Sequence, residues 1–347
     1  MSVDAFPIVA VDERAARMGL CALVPLGAPG LVAEVAHRGA VDTWSRLLSD
    51  RDSRWGRAAA TIDLRRVVAA GAEVGARFVI PGDAEWPAQL SDLDGVEVGG
   101  QTGAPFGLWV VGARLDELPA GVAVVGARAA TTAGLHVAEG LAAGIAAAGF
   151  SVISGMAFGI DAAAHRGALE VGGPTIAVLP SGLDRPYPSA HHDLARSIAA
   201  RGALISEMPP GTTPTRYTFQ ARNRIIAALA RGTVIGEAAA RSGALNTTTW
   251  TTAIGRPLLA VPGDATHPLS SAPNALIRDR TAQLVTTAHD ITQAIPVAGR
   301  GNDRGMQLRA DIEAARADVD TATATLTRAW QRVADTRRRL DHHLNQH

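Results

Sequence analysis

Six residues of one short stretch carry the richest polar chemistry: Arg216, Tyr217, Phe219, Arg222, Asn223 and Arg224. Guanidinium groups fork phosphate oxygens, and aromatic rings offer stacking faces, so the stretch suits a nucleic-acid backbone or a nucleotide phosphate. An exposed, salt-bridged helix start accounts for the same residues. Upstream, SGMAFGIDAAAH sets Ser154, Gly155 and Gly159 in a turn that a ligand can approach closely. Asp161 falls in the first turn of the next helix, and His165 lies on the same face four residues on. No serine or cysteine nucleophile is paired with them, so they read as loop-fixing residues rather than a catalytic base. LPSGLDRPYP supplies Arg185 for phosphate and Tyr187 for stacking, or else a turn fixed by its prolines. In VVGARAATTAG, Gly126 and Arg128 precede a helix N-terminus, where an anion is favoured. The glycine spacing there is not that of the dinucleotide fingerprint. HExxH and GxSxG are absent from the sequence, and two potential ligands on one helix do not make a metal centre. The expectation is no catalytic residue, no metal and no cofactor.

These residues sit on loops that a parallel sheet would position. Short apolar runs at Val122–Val125, Ser151–Ser154, Thr175–Leu179, Ala203–Ser206 and Thr233–Ile235 alternate with helical stretches. That alternation predicts an α/β fold with a Rossmann-like, doubly wound, mostly parallel sheet, its ligand loops at the carboxyl ends of the strands. Residues 1–55 read as a small helical accessory domain, with 49–57 as a charged linker, and 56–300 as the extended Rossmann-like domain. Residues 301–347 carry a stripe of Leu308, Ile312, Ala315, Val319, Ala322, Leu326, Ala329 and Val333 at alternating gaps of four and three. That spacing predicts a long helix, coiled-coil-like or packed back on the domain.

Composition narrows the class without naming a ligand. The 347 residues balance 33 basic against 33 acidic side chains, and no lysine occurs. Global charge therefore does not announce a nucleic-acid binder, although a local arginine patch remains open. The single cysteine, Cys21, excludes an intrachain disulfide framework. Asp4, Asp12 and Glu13 interrupt the N-terminal region, and no apolar run reaches membrane-spanning length. A cytoplasmic protein without a membrane partner is expected.

The ordered series of motifs resembles the DprA/Smf DNA-processing family. VVGAR, SGMAFGIDAAAHRGAL, IAVLPSGLDRPYP, LISEMPPG and FQARNRIIAAL occur in that family's order, and the similarity runs from about Leu108 to Ile291. It implies a non-catalytic protein that binds single-stranded DNA, hands it to the RecA recombinase and self-associates as a homodimer. It implies DNA or phosphate contacts at Gly126, Arg128, Ser154, Gly155, Gly159, Arg185, Arg222, Asn223 and Arg224. Tyr187, Tyr217, Phe219 and Phe158 are the stacking candidates, while Asp161 and His165 fix loops. Phe158 stands where the family usually carries arginine, and Ala127 where it usually carries serine. Two other classes fit the sequence: an enzyme or sensor for a phosphorylated, nucleotide-like metabolite, and an interaction protein that works through its C-terminal helix.

Overall fold

Five helices precede the sheet, most with a visible start signal: α1 (Glu13–Cys21), α2 (Pro29–Arg38), α3 (Ala40–Ser49), α4 (Arg54–Ala59) and α5 (Leu64–Glu73). Asp12, Ser53 and Asp63 cap α1, α4 and α5 with side-chain oxygens, and Pro29 opens α2. The Ser53 cap turns part of the expected 49–57 linker into helix. The computed structural model describes residues 12–23 and 26–295, so the heptad-like stripe of the tail lies outside the described residues.

The lead-in to the sheet consists of β1 (Arg77–Val79), a two-stranded ribbon of β2 (Glu97–Val98) and β3 (Gln101–Thr102), and β4 (Leu108–Gly112). The alternating region then runs β5 (Gly121–Val125), α6 (Thr132–Ala147), β6 (Ser151–Ser154), α7 (Ile160–Glu170), β7 (Thr175–Val178) and α8 (His192–Arg201). It continues through β8 (Ala203–Ser206), α9 (Arg216–Leu229), β9 (Ala230–Ile235), α10 (Ala244–Ala253) and β10 (Leu258–Ala260). Helix α11 (Ser271–Arg278), β11 (Gln283–Leu284) and α12 (Ala288–Ala294) complete it.

Nine strands form one sheet in the order β1-β4-β8-β7-β6-β5-β9-β10-β11. From β8 to β11 every pairing is parallel, and β4 and β1 add antiparallel edges. The fold is thus the Rossmann-like, mostly parallel α/β arrangement that the motif order implies. Chain order reverses between β5 and β9. Connections leave those two strands in opposite directions, which opens a crevice at their carboxyl ends. Small side chains let the covering helices come close. Ala138 and Ala142 of α6 meet Ala163 and Ala164 of α7 in one buried cluster.

Helix α9 begins at Arg216, where Thr215 and Thr218 form a reciprocal capping box. Ile225, Ile226 and Leu229 of α9 enter the core against β-strand residues such as Ile153 and Val178. Arg224 also points inward and is fully buried. It forks the Glu207 carboxylate at 2.7 and 2.8 Å and donates to the Gly103 carbonyl at 3.0 Å, fastening the lead-in to α9. Another cluster joins Leu20 and Trp44 of the early helices to Phe78, Trp109 and Leu204 of the sheet.

Arg224→Ala leaves the Glu207 charge buried and unpaired, and should lower unfolding free energy by about 3–5 kcal/mol. Urea denaturation measures this. The double variant Arg224→Met/Glu207→Leu, which removes both charges, should recover most of the loss.

Candidate functional site

A cavity of about 750 Å³ opens at the crevice between β5 and β9. Gly126, Ala127 and Arg128 line it from the turn after β5, and Ala239, Arg241 and Ser242 from the loop after β9. Arg216, Phe219, Arg222 and Asn223 of α9 and Asn246 and Thr247 of α10 complete much of the wall. Four arginines therefore face one carboxylate, Asp161, around the cavity. A chain of zero formal charge has gathered its cations locally.

Arg222 is the central group. It is 6% exposed, and its Nε and Nη1 are buried without a hydrogen-bond partner. Its Nη2 lies 3.8 Å from Asp161 Oδ2, beyond hydrogen-bond length. The same Asp161 oxygen accepts from the Gly155 and Ala157 amides at 3.2 and 3.4 Å. Burial pulls the Arg222 pKa down, only partly opposed by Asp161, and the neighbouring Arg128 lowers it further. Burial likewise raises Asp161, against the pull of Arg222 and the amides. Gly155 is the floor on which this guanidinium rests: a Cβ there would overlap Arg222 Nη1.

The other cavity residues are held in place from the sides. Arg128 stacks over the Phe219 ring at 4.7 Å, and Tyr187 meets the same ring edge-on at 5.6 Å. Asn223 Nδ2 donates to Asn246 Oδ1 at 3.1 Å, tying α9 to α10. Tyr217, between the wall residues Arg216 and Phe219, is 63% exposed.

Of the nine contacts implied by the resemblance, Gly126, Arg128, Arg222 and Asn223 line the cavity. The other five are placed differently. Arg224 is fully engaged with Glu207 in the interior, so it is not available to phosphate. Ser154 is buried and donates to the Val124 carbonyl at 2.6 Å inside the sheet. Gly155 gives its amide to Asp161 and serves by its lack of a side chain. Gly159 holds a φ of +77° and packs against the Ala127 and Arg128 backbone, where a Cβ would collide. Arg185 lies on the surface beside Asp184 at 3.5 Å, outside the cavity wall.

The loop-fixing pair is also divided. Asp161 fixes the 155–157 turn, but His165 turns away from it. His165 Nδ1 donates to Thr175 Oγ1 at 2.7 Å, and that hydroxyl donates to the Val152 carbonyl, pinning α7 to β6 and β7. Burial first, then Arg222 and His191, push the His165 pKa down to about 3.

Two features escaped the sequence. Arg241 follows β9 and carries no local pattern that marks it. Glu237 occupies the N-terminus of α6, the place where an anion was expected. Its carboxylate accepts from Thr131 N at 2.7 Å and from Thr131 Oγ1 at 2.5 Å. A Cβ on Gly134 would run into that carboxylate. The helix field that could hold a phosphate is satisfied from within the chain.

A switch-point cavity walled by four arginines is the main polar feature of this Rossmann-like fold. Residues 77–296 match the family described as DNA recombination-mediator protein A, and the chain belongs to that family. A DprA-type DNA-processing sequence of Mycobacterium tuberculosis is 44% identical over 226 residues, 64% of this chain and 58% of that protein. The chain thus spans less than two thirds of that relative. The X-ray structure of DNA processing protein A from Streptococcus pneumoniae superposes with a TM-score of 0.67 at 30% identity. It covers 83% of this chain and 99% of its own. DNA processing protein A from Helicobacter pylori, whose structure describes a single-stranded DNA binding mode, gives 0.54 at 26% identity. That match covers 62% of this chain and 94% of the other. Among the described residues, no His, Cys, Asp and Glu cluster could hold a metal ion, and no helix is long and apolar enough to cross a membrane.

The neutral, buried His165 has a pH consequence. Its folded pKa of about 3 lies below the ordinary 6.5, so the unfolded chain takes up the proton first as pH falls. Its contribution to stability is complete above pH 6.5 and diminishes as pH drops toward 3. Urea titrations at successive pH values should show a shallower acid loss for His165→Gln than for the unaltered chain.

Proposed function

We propose that this chain is a recombination mediator that binds single-stranded DNA through the arginine cavity and catalyses no reaction. The observation that carries this reading is Arg222, a buried guanidinium with two unpartnered nitrogens in the wall of a cavity rich in arginine. A phosphate oxygen is the acceptor that such donors lack, and a charge-assisted bond in a desolvated site is strong. Arg128, Arg216 and Arg241 add cationic character around it. Gly126 and Asn223 leave room for the backbone and offer polar contacts. Phe219, Tyr187 and Tyr217 supply rings for unstacked bases.

Family membership supports the same assignment, as does the DNA named for the Helicobacter pylori relative. In this reading the protein shields single strands in the cytoplasm, passes them to RecA, works as a homodimer and needs no cofactor. Residues 1–55 act as an accessory to the DNA-binding body at 56–300. The metabolite reading has weaker support. Glu237 holds the α6 N-terminus, where a dinucleotide pyrophosphate would otherwise rest.

Titration with single- and double-stranded oligonucleotides at several salt concentrations tests the proposal. The unaltered chain should prefer the single strand and weaken as salt rises. Arg222→Ala should lower affinity about tenfold and reduce the slope of log K against log salt by about 0.7, the contribution of one lost phosphate contact. An identical isotherm for this variant at every salt concentration would overturn the assignment. Gly155→Ala, which displaces the guanidinium without removing it, should lose about as much affinity while remaining folded by circular dichroism.

A further inference from the structure

The turn between β6 and α7 presents an aromatic ring to solvent from an unusually well tied segment. Phe158 is 47% exposed, and its neighbour Ala157 lines the arginine cavity. Single exposed apolar side chains are ordinary on protein surfaces. This one differs in how its backbone is held. Asp161 accepts from the amides of Gly155 and Ala157. His191 Nδ1 donates to the Met156 carbonyl at 2.9 Å, and Ile160 N donates to the Ala127 carbonyl at 3.1 Å. Met156 is fully buried with a φ of +56°, a left-handed conformation uncommon for a residue with a side chain. Gly159 also has positive φ. The fold keeps a strained turn in one conformation, and the side chain displayed at its tip is a phenyl ring. His191, itself buried, props that ring edge-on with centroids 4.6 Å apart.

Location adds a second argument. Three aromatic side chains are exposed among the described residues: Phe158, Tyr187 and Tyr217. They follow β6, β7 and β8 respectively, so each comes from the carboxyl end of a successive neighbouring strand. The loop of Phe158 is the first of these outward from the β5–β9 crossover where Arg222 waits. A phosphate on Arg222 would bring the adjoining nucleotide toward this rim. Aromatic side chains take up unpaired bases with little regard to sequence.

We infer that Phe158 is a preorganised stacking platform for a base of the strand whose phosphate occupies the arginine cavity. The inference rests on the DNA-binding reading above and assigns a contact that depends on the base rather than on charge. Its test compares oligothymidylate with an abasic oligonucleotide of equal length, by fluorescence anisotropy at several salt concentrations. Phe158→Ala should bind oligothymidylate about tenfold more weakly, with the salt slope unchanged because no cation is lost. Phe158→Trp should retain the affinity. On the abasic strand, Phe158→Ala and the unaltered chain should bind alike. Equal affinity of Phe158→Ala and the unaltered chain for oligothymidylate overturns this inference alone. So does an equal loss on the abasic strand, or a loss that Phe158→Trp shares. Failure of the unaltered chain to bind either strand overturns both this inference and the reading beneath it.

Discussion

A guanidinium short of acceptors governs the design of this molecule. Arg222 is held out of water with two nitrogens unpartnered, and the nearest carboxylate stands 3.8 Å away and is already shared with two amides. Leaving a buried charge so poorly paired is unfavourable unless the protein holds it ready for another group. Several otherwise separate features serve that arrangement. Gly155 gives the guanidinium room, Asp161 keeps the turn beneath it closed, and Asn223 anchors α9 to α10 beside it. The Asp161–Arg222 pair is an ion pair at 3.8 Å that leaves the Arg222 Nε and Nη1 without hydrogen-bond acceptors. A direct, bidentate pair would have left nothing for a ligand to gain.

The fold departs from nucleotide-binding Rossmann logic at one helix terminus. In that logic the helix after the first parallel strand receives phosphate on its open amides. Here Glu237, in the loop after β9, reaches across the crossover and accepts from Thr131, the residue that caps this helix. The same residue's carbonyl accepts from Ala127 N at 2.6 Å, so it also fixes the turn that carries Arg128. The crossover remains the site, but its cationic character moves from the α6 amides to the side chains of α9 and the loop after β9. A side-chain site with a broad arginine wall suits a polymer backbone better than a single pyrophosphate cradled by amides.

Local patterns made the sheet legible, because the central parallel strands are short apolar runs and several helices, α6 and α9 among them, begin at a threonine cap. Site membership was harder to read, and Arg222 and Arg224 explain why. Both belong to the same motif, and both invite a phosphate. Two residues apart on a helix they point to nearly opposite sides, so a single ligand cannot take both. Spacing alone signals that conflict, but the winner depends on Glu207, which lies in another loop 17 residues earlier. Glu237 was hidden for a stronger version of the same reason, being 106 residues from Thr131, whose amide and hydroxyl it accepts. Ser154 and His165 follow too: each bonds across the sheet to a partner set by strand register, which no motif records.

In the proposed DNA-binding reading, the placement of rings and cations favours a single strand over a duplex. Phosphates are available in both, so the arginines alone supply attraction with little discrimination. Phe158, Tyr187 and Tyr217 stand on the loops and helix start around the same end of the sheet, and they gain from DNA only if bases leave the helical stack. A duplex would have to unstack before reaching them, at a cost of a few kcal/mol per step. An unpaired strand meets them with its bases already free. Arg128 connects the two halves of this preference, since it faces the cavity while stacked on Phe219, whose other contact is Tyr187. Charge draws the backbone in, and the aromatic rim makes the single strand the better occupant.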